Sequence, residues 1–110
     1  MASMKEFRYL SDVELDTTII SNELLTLVLV VKEGNSLCYL MESKLKKLSD
    51  KIRNKISIFK IDYEINRNSM IIYRIQNTPT LLLLKSGILI DKLEGLTSKK
   101  ELISRIQHNL

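Results

Sequence analysis

One cysteine, one histidine, one proline, three glycines and no tryptophan are found among the 110 residues. Each scarcity excludes something. Cys38 alone cannot make an internal disulfide, and Cys38 with His108 cannot supply a Cys/His zinc site. No metal and no cofactor is therefore expected. With so little Pro and Gly there is little room for long loops, and most of the chain should be regular structure. Long apolar runs are missing too. The longest, residues 24–31, has eight residues and includes Thr26. A membrane span takes roughly 20, so this run reads as a buried strand and no membrane partner is expected. The first ten residues carry Lys5, Glu6 and Arg8 and show no apolar leader. Charge of one sign is not in great excess. A formal net charge of +4 suits an acidic partner without demanding nucleic acid. A monomeric protein of the reducing cytoplasm is the expectation.

What is present suits a single domain spanning residues 1–110. Residues 1–4 are given no structural weight. Hydrophobic residues make up 45% of the chain, enough for a core that offsets chain entropy. Residues 5–10 read as a short strand. Ser11 and Glu14 form a capping box that opens a helix to about Ser21. Residues 24–31 suit a central strand covered on both faces. A polar turn with Gly34 and Asn35 follows, since both residues tolerate positive φ.

From Leu37 the period changes. Leu37, Met41, Leu45, Leu48 and Ile52 fall on one helical stripe, and Lys44, Lys47, Lys51 and Lys55 fall on another face. Without interleaved aromatics these lysines read as a solvated surface, not a nucleic-acid patch. Residues 56–63 make a strand with Asp62 near its end. Asp62 and Glu64 read as a solvated strand terminus, not as paired catalytic acids. Asn66 is placed to cap a helix reaching about Arg74. Residues 80–85 and 88–94 form a hairpin around Ser86-Gly87. A second capping box, Ser98 with Glu101, opens a last helix, and His108 in its final turn complements the helix dipole. The order is β-α-β-α-β-α-β-β-α, an α/β fold with a central mixed sheet between helices and right-handed crossovers.

This order, together with Asn77-Thr78-Pro79-Thr80-Leu81-Leu82-Leu83-Leu84-Lys85-Ser86-Gly87, resembles the thioredoxin family. Lys60, Asp62, Tyr73-Arg74-Ile75 and Gly95 add to the resemblance, which runs from about Phe7 to Leu110. It implies a thioredoxin-like fold, a cis Thr78–Pro79 bond, and a groove in which the backbone of Thr78 meets an extended peptide. It also implies a Trp-Cys-Gly-Pro-Cys centre after the second strand. Counted back from Pro79 without gaps, Cys38 takes the place of the second cysteine and Asn35 that of the first. Ser36 and Leu37 stand between them, Gly34 replaces the Trp, and Leu29 replaces the buried acid.

The missing cysteine is the attacking one, and neither the Asn35 amide nor the Ser36 hydroxyl substitutes for a thiolate. Two functions remain open. One is a non-catalytic module whose groove, formed by Gly34, Asn35, Ser36, Leu37, Thr78, Pro79 and Gly95, binds an extended peptide or protein partner. There Leu37, Tyr39 and Leu40 add apolar contact unless Leu37 and Leu40 are core. The other is a monothiol redox protein in which Cys38, at a helix N-terminus, forms a mixed disulfide.

Overall fold

The computed structural model describes residues 7–20 and 22–110, and the side chains of all of these except 18–20. The elements run β1 (Arg8–Leu10), α1 (Asp12–Ile20), β2 (Leu25–Val31), α2 (Ser36–Lys46), α3 (Asp50–Arg53), β3 (Ile56–Asp62), α4 (Arg67–Ile72), β4 (Thr80–Lys85), β5 (Ile88–Glu94) and α5 (Lys99–His108). The five strands form one sheet in the order β1-β3-β2-β4-β5. β1 and β2 run parallel to β3, while β4 runs antiparallel to both β2 and β5. The expected α/β thioredoxin-like sheet is thus present. Of the expected first strand, Lys5 and Glu6 lie outside the described residues, as does Ser21 at the expected end of the first helix.

The period-two geometry of β2 sorts its side chains between two cores. Leu25, Leu27, Leu29 and Val31 join Met41 and Leu45 of α2 and Leu102 and Ile106 of α5. Val28 and Val30 face the other way, onto Leu15 of α1 and Met70 of α4. β4 divides in the same manner, with Leu81 and Leu83 on the first side and Leu82 and Leu84 on the second. Burying each such side chain stabilises by about 1.5–3 kcal/mol. This double coverage explains why both strands read as unbroken apolar runs. The β4–β5 turn has positive φ at both Ser86 (51°) and Gly87 (83°), the backbone that a two-residue hairpin with native twist requires.

Three expectations need correction. The stripe from Leu37 to Ile52 is not one helix. Ser49 adopts an extended backbone and its hydroxyl accepts from Ile52 N, so a new helix, α3, begins there. The break lets Leu48 and Ile52 both reach the first core. Within α2 the expected Met41 and Leu45 are buried, joined by Cys38 and Glu42, while Leu37 lies outside the buried stripe. Asn66 sits at the cap position of α4 but does not cap it. Its Oδ1 accepts from Asp12 N at 2.9 Å, at the start of α1, and its Nδ2 donates to Asp62 O. Asp12 Oδ1 in turn accepts from Ser69 N at 3.0 Å in α4. The two helices therefore exchange caps across the sheet end.

The first capping box forms, with Ser11 N donating to Glu14 Oε1 and Glu14 N to Ser11 Oγ, each at 3.3 Å. The second forms by half. Ser98 Oγ accepts from Glu101 N, but the Glu101 carboxylate turns to Arg105 Nε at 2.8 Å. Arg105 also forks onto both oxygens of Asp91 at 2.8 Å, fixing α5 to β5. No helix among the described residues is long and apolar enough to cross a membrane.

Candidate functional site

Three segments meet at the carboxyl end of β2: the turn into α2, the loop into β4, and the loop after β5. Gly34 (φ 82°) and Gly95 (φ 77°) make the reversals at two of them. Left-handed backbone is the reason for glycine there, because a Cβ at either position would meet nothing within 4 Å. Asn35 is the N-cap of α2, and its Oδ1 accepts from Leu37 N at 2.9 Å. Its Nδ2 donates across to the next segment, to Thr78 Oγ1 at 3.2 Å and Thr78 O at 3.5 Å. The Thr78–Pro79 peptide is cis. Pro79 O accepts from Gly95 N at 2.7 Å, which brings in the third segment. Lys44 Nζ donates to Thr97 O at 2.8 Å. Lys44 therefore leaves the set of solvated lysines and fastens the loop after β5 to α2.

Hydrogen bonds thus join Asn35, Thr78, Pro79 and Gly95, while Gly34, Ser36 and Leu37 follow by chain connection. Leu37 is 43% exposed, Leu40 is 51% exposed, and Tyr39 and Leu96 are exposed as well. The reading of Leu37 and Leu40 as core is overturned, since the rotation of α2 spends its inward face on Cys38, Met41, Glu42 and Leu45.

Cys38 is 3% exposed and its thiol is free. It stands at the third helical position, with its backbone N–H bonded to Asn35 O at 3.1 Å. Cys38 borders a cleft of about 380 Å³ whose lining includes Tyr9, Glu42, Lys46, Lys60 and Asp62. Sequence reasoning missed the chief feature of this cleft. Lys60, 3% exposed in the middle of β3, points to Glu42, with Nζ 3.3 Å from Oε1 and 3.2 Å from Oε2. Lys46, one turn along α2, adds a second ammonium 3.2 Å from the same carboxylate. Tyr9 presents its ring to Lys60 Nζ at 4.4 Å.

Leu29 pairs with Lys60 in the β2–β3 register. Where resemblance placed a strand acid there is leucine, and a helix acid compensates the lysine. A signal for this pair did exist. Glu42 lies four residues after Cys38 and four before Lys46, and Lys60 is set among Ile58, Phe59 and Ile61 in β3. His108 is exposed in the last turn of α5, and Asp62, at the rim of the cleft, accepts from Glu64 N. Among the described residues no group of three His, Cys, Asp or Glu side chains could hold a metal ion.

Chemically, the site holds one shielded thiol and no second sulfur with which it could form a dithiol pair. What the surface offers instead is apolar side chains beside partly engaged backbone. Comparison with known proteins agrees with the fold. The family model for thioredoxin matches residues 6–108. The chain is 36% identical over 73 residues to thioredoxin Y1, chloroplastic, of Arabidopsis thaliana, covering 66% of this chain and 42% of that protein. It is 34% identical to thioredoxin Y2, chloroplastic, of the same plant, covering 66% of this chain and 44% of the relative. It is 31% identical over 70 residues to the thioredoxin-like protein slr0233 of Synechocystis, covering 64% of this chain and 67% of that protein. The chain spans less than half the length of the two Arabidopsis relatives. With the sheet order, the three meeting loops and the match from residue 6 to residue 108 in agreement, the chain belongs to the thioredoxin family.

Proposed function

We propose that this chain is a thioredoxin-fold binding module that takes an extended peptide or protein partner without dithiol–disulfide exchange. The observation that carries this reading is the Asn35 side chain. It occupies the attacking-cysteine place by sequence count and spends its amide on the α2 cap and on Thr78. Such a group positions a loop and transfers no electrons. Leu37, Tyr39, Leu40 and Leu96 supply exposed apolar surface around it, the kind of anchor that binding faces use. The bonds to Thr78 hold the loop in one conformation, which lowers the ordering penalty of association.

The test uses the S-methylated insulin B chain as an extended, thiol-free peptide and intact insulin as a disulfide substrate. Amide shifts of the labelled protein should move at 34–40, 78 and 95–96 on adding the B chain, and insulin should not be reduced. Turnover of the insulin disulfide, or shifts confined to another face, would overturn the proposal.

One observation favours a second reading, since Cys38 borders the Lys60–Glu42 cleft. A Cys38 thiolate attacking glutathione disulfide would release one glutathione thiolate and leave a mixed disulfide. Shielding of the sulfur opposes this reading. A reducing compartment, the cytoplasm in our proposal, fits a chain whose one thiol is free.

A further inference from the structure

A recess with no α2 residue in its lining runs along α4 and the turn that follows it. It encloses about 660 Å³ between Tyr63, Met70, Ile71 and Ile75, with Arg67 and Arg74 also lining it. Its walls mix these apolar side chains with Glu64, Gln76 and the two arginines, and Ile71 is 75% exposed. Neither arginine has a carboxylate partner among the described residues. The acid at the rim, Glu64, is already paired with Lys32 at 3.7 Å.

Arg74 carries a second sign. α4 ends with Arg74 N bonded to Ile71 O at 3.2 Å and Ile75 N to Met70 O at 2.9 Å, which puts Arg74 in the left-handed position at φ 52°. Glycine or asparagine is the ordinary choice there, because a Cβ is disfavoured. Lys92 Nζ holds the turn by donating to Tyr73 O at 3.3 Å and Arg74 O at 3.1 Å. The fold therefore keeps a guanidinium where a smaller residue would sit with less strain, and backbone outliers of this kind gather at binding sites.

We propose that this groove docks an acidic peptide segment of a protein partner, with an apolar side chain against Met70, Ile71 and Ile75 and carboxylates on Arg67 and Arg74. Guanidinium forks match carboxylates in two-point geometry. A run of phosphates fits less well, because Tyr63 is the one aromatic lining residue available for stacking and Glu64 repels at the rim. The recess shares the loop into β4 with the Thr78 site through Arg74, Ile75 and Gln76 but uses none of Asn35, Leu37 or Thr78, so it extends the binding-module reading without resting on it.

The probe is a short fluorescein-labelled peptide with Leu and Phe set among Glu and Asp. Its controls are the same peptide with Lys in place of the acids, and a single-stranded thymidine oligonucleotide. The acidic peptide should bind best, weaken as salt rises from about 50 to about 300 mM, and shift amides at 63–76. Charge reversal in R67E/R74E should weaken it about tenfold or more, as two exposed pairs become repulsive. R74G relieves the backbone, so it should melt no lower than the parent yet bind about threefold more weakly. L37D/L40D should leave this binding unchanged. Equal binding of the Lys peptide, preference for the oligonucleotide, or full affinity in R67E/R74E would overturn the proposal.

Discussion

Asn35 bridges two loops that no covalent bond joins: Oδ1 accepts from Leu37 N at 2.9 Å while Nδ2 reaches Thr78 Oγ1 at 3.2 Å. One side chain thus starts α2 and fixes the loop into β4. Asn35→Ala should lower stability by about 1–2 kcal/mol, from a lost cap and a lost bridge. Asn35→Asp keeps the cap acceptor and loses both donations to Thr78, so it should fall between. Denaturant melts of the three proteins, with the Thr78 amide shift as reporter, separate the two contributions. An Asp variant as stable as the parent and with an unmoved Thr78 amide would remove the bridge from the account.

Restoring the sulfur tests the positional equivalence itself. Asn35→Cys creates Cys-Ser-Leu-Cys across one helical turn, where Cys38 N already bonds to Asn35 O at 3.1 Å. The variant should form an internal disulfide under mild oxidation and reduce insulin detectably. It should remain slow, because Leu29 places no acid beneath it. Failure of the two sulfurs to join would show that the turn does not have the family's geometry.

The thiol of the parent should be quiet. Cys38 is shielded, so its native-state alkylation should track local opening and accelerate steeply in denaturant. Alkylation in buffer as fast as for the denatured chain would favour the monothiol reading.

Glu42 and Lys60 form a buried pair, and buried pairs are costly to break by halves. Glu42→Ala leaves the Lys60 ammonium without its carboxylate and should destabilise by about 3–5 kcal/mol. Replacing both, as Glu42→Leu with Lys60→Met, removes the Lys60 charge while Lys46 still loses Glu42, and should recover part of that loss. Chemical denaturation of the two variants decides it. A double variant no better than Glu42→Ala would locate the stabilisation in packing and not in the pair.

Two groups contribute to the pH limbs. Burial pushes the Tyr73 phenol up, and the Asp16 carboxylate adds to the effect. The unfolded phenol then ionises first, so this stability is whole below about pH 10 and lost as pH rises through the folded value. Glu14 is held below the usual carboxylate range, first by the Ser11 backbone N–H and then by Arg8 and the Ser11 hydroxyl. Its stability is present above that range and lost as pH falls through the lowered value. Tyr73→Phe should flatten the alkaline limb of a melting-versus-pH curve, and Glu14→Gln the acid limb.

Residue order by itself determined the main strands, the family and the presence of a single cysteine, which leaves no dithiol pair. β2 and β4 are read from contiguous apolar residues, and the hairpin from Ser86-Gly87, because these are local signals. The tertiary structure alone decided the face of α2 and the partners of its polar groups. Helical periodicity allows stripes one residue apart, and contact with the sheet chose Cys38 and Glu42 over Leu37. The exchanged caps of Asp12 and Asn66 join residues 54 apart, and the Lys60–Glu42 pair joins residues 18 apart. A side chain's local rules name what it can bond to, and only the folded chain brings that partner within hydrogen-bonding distance.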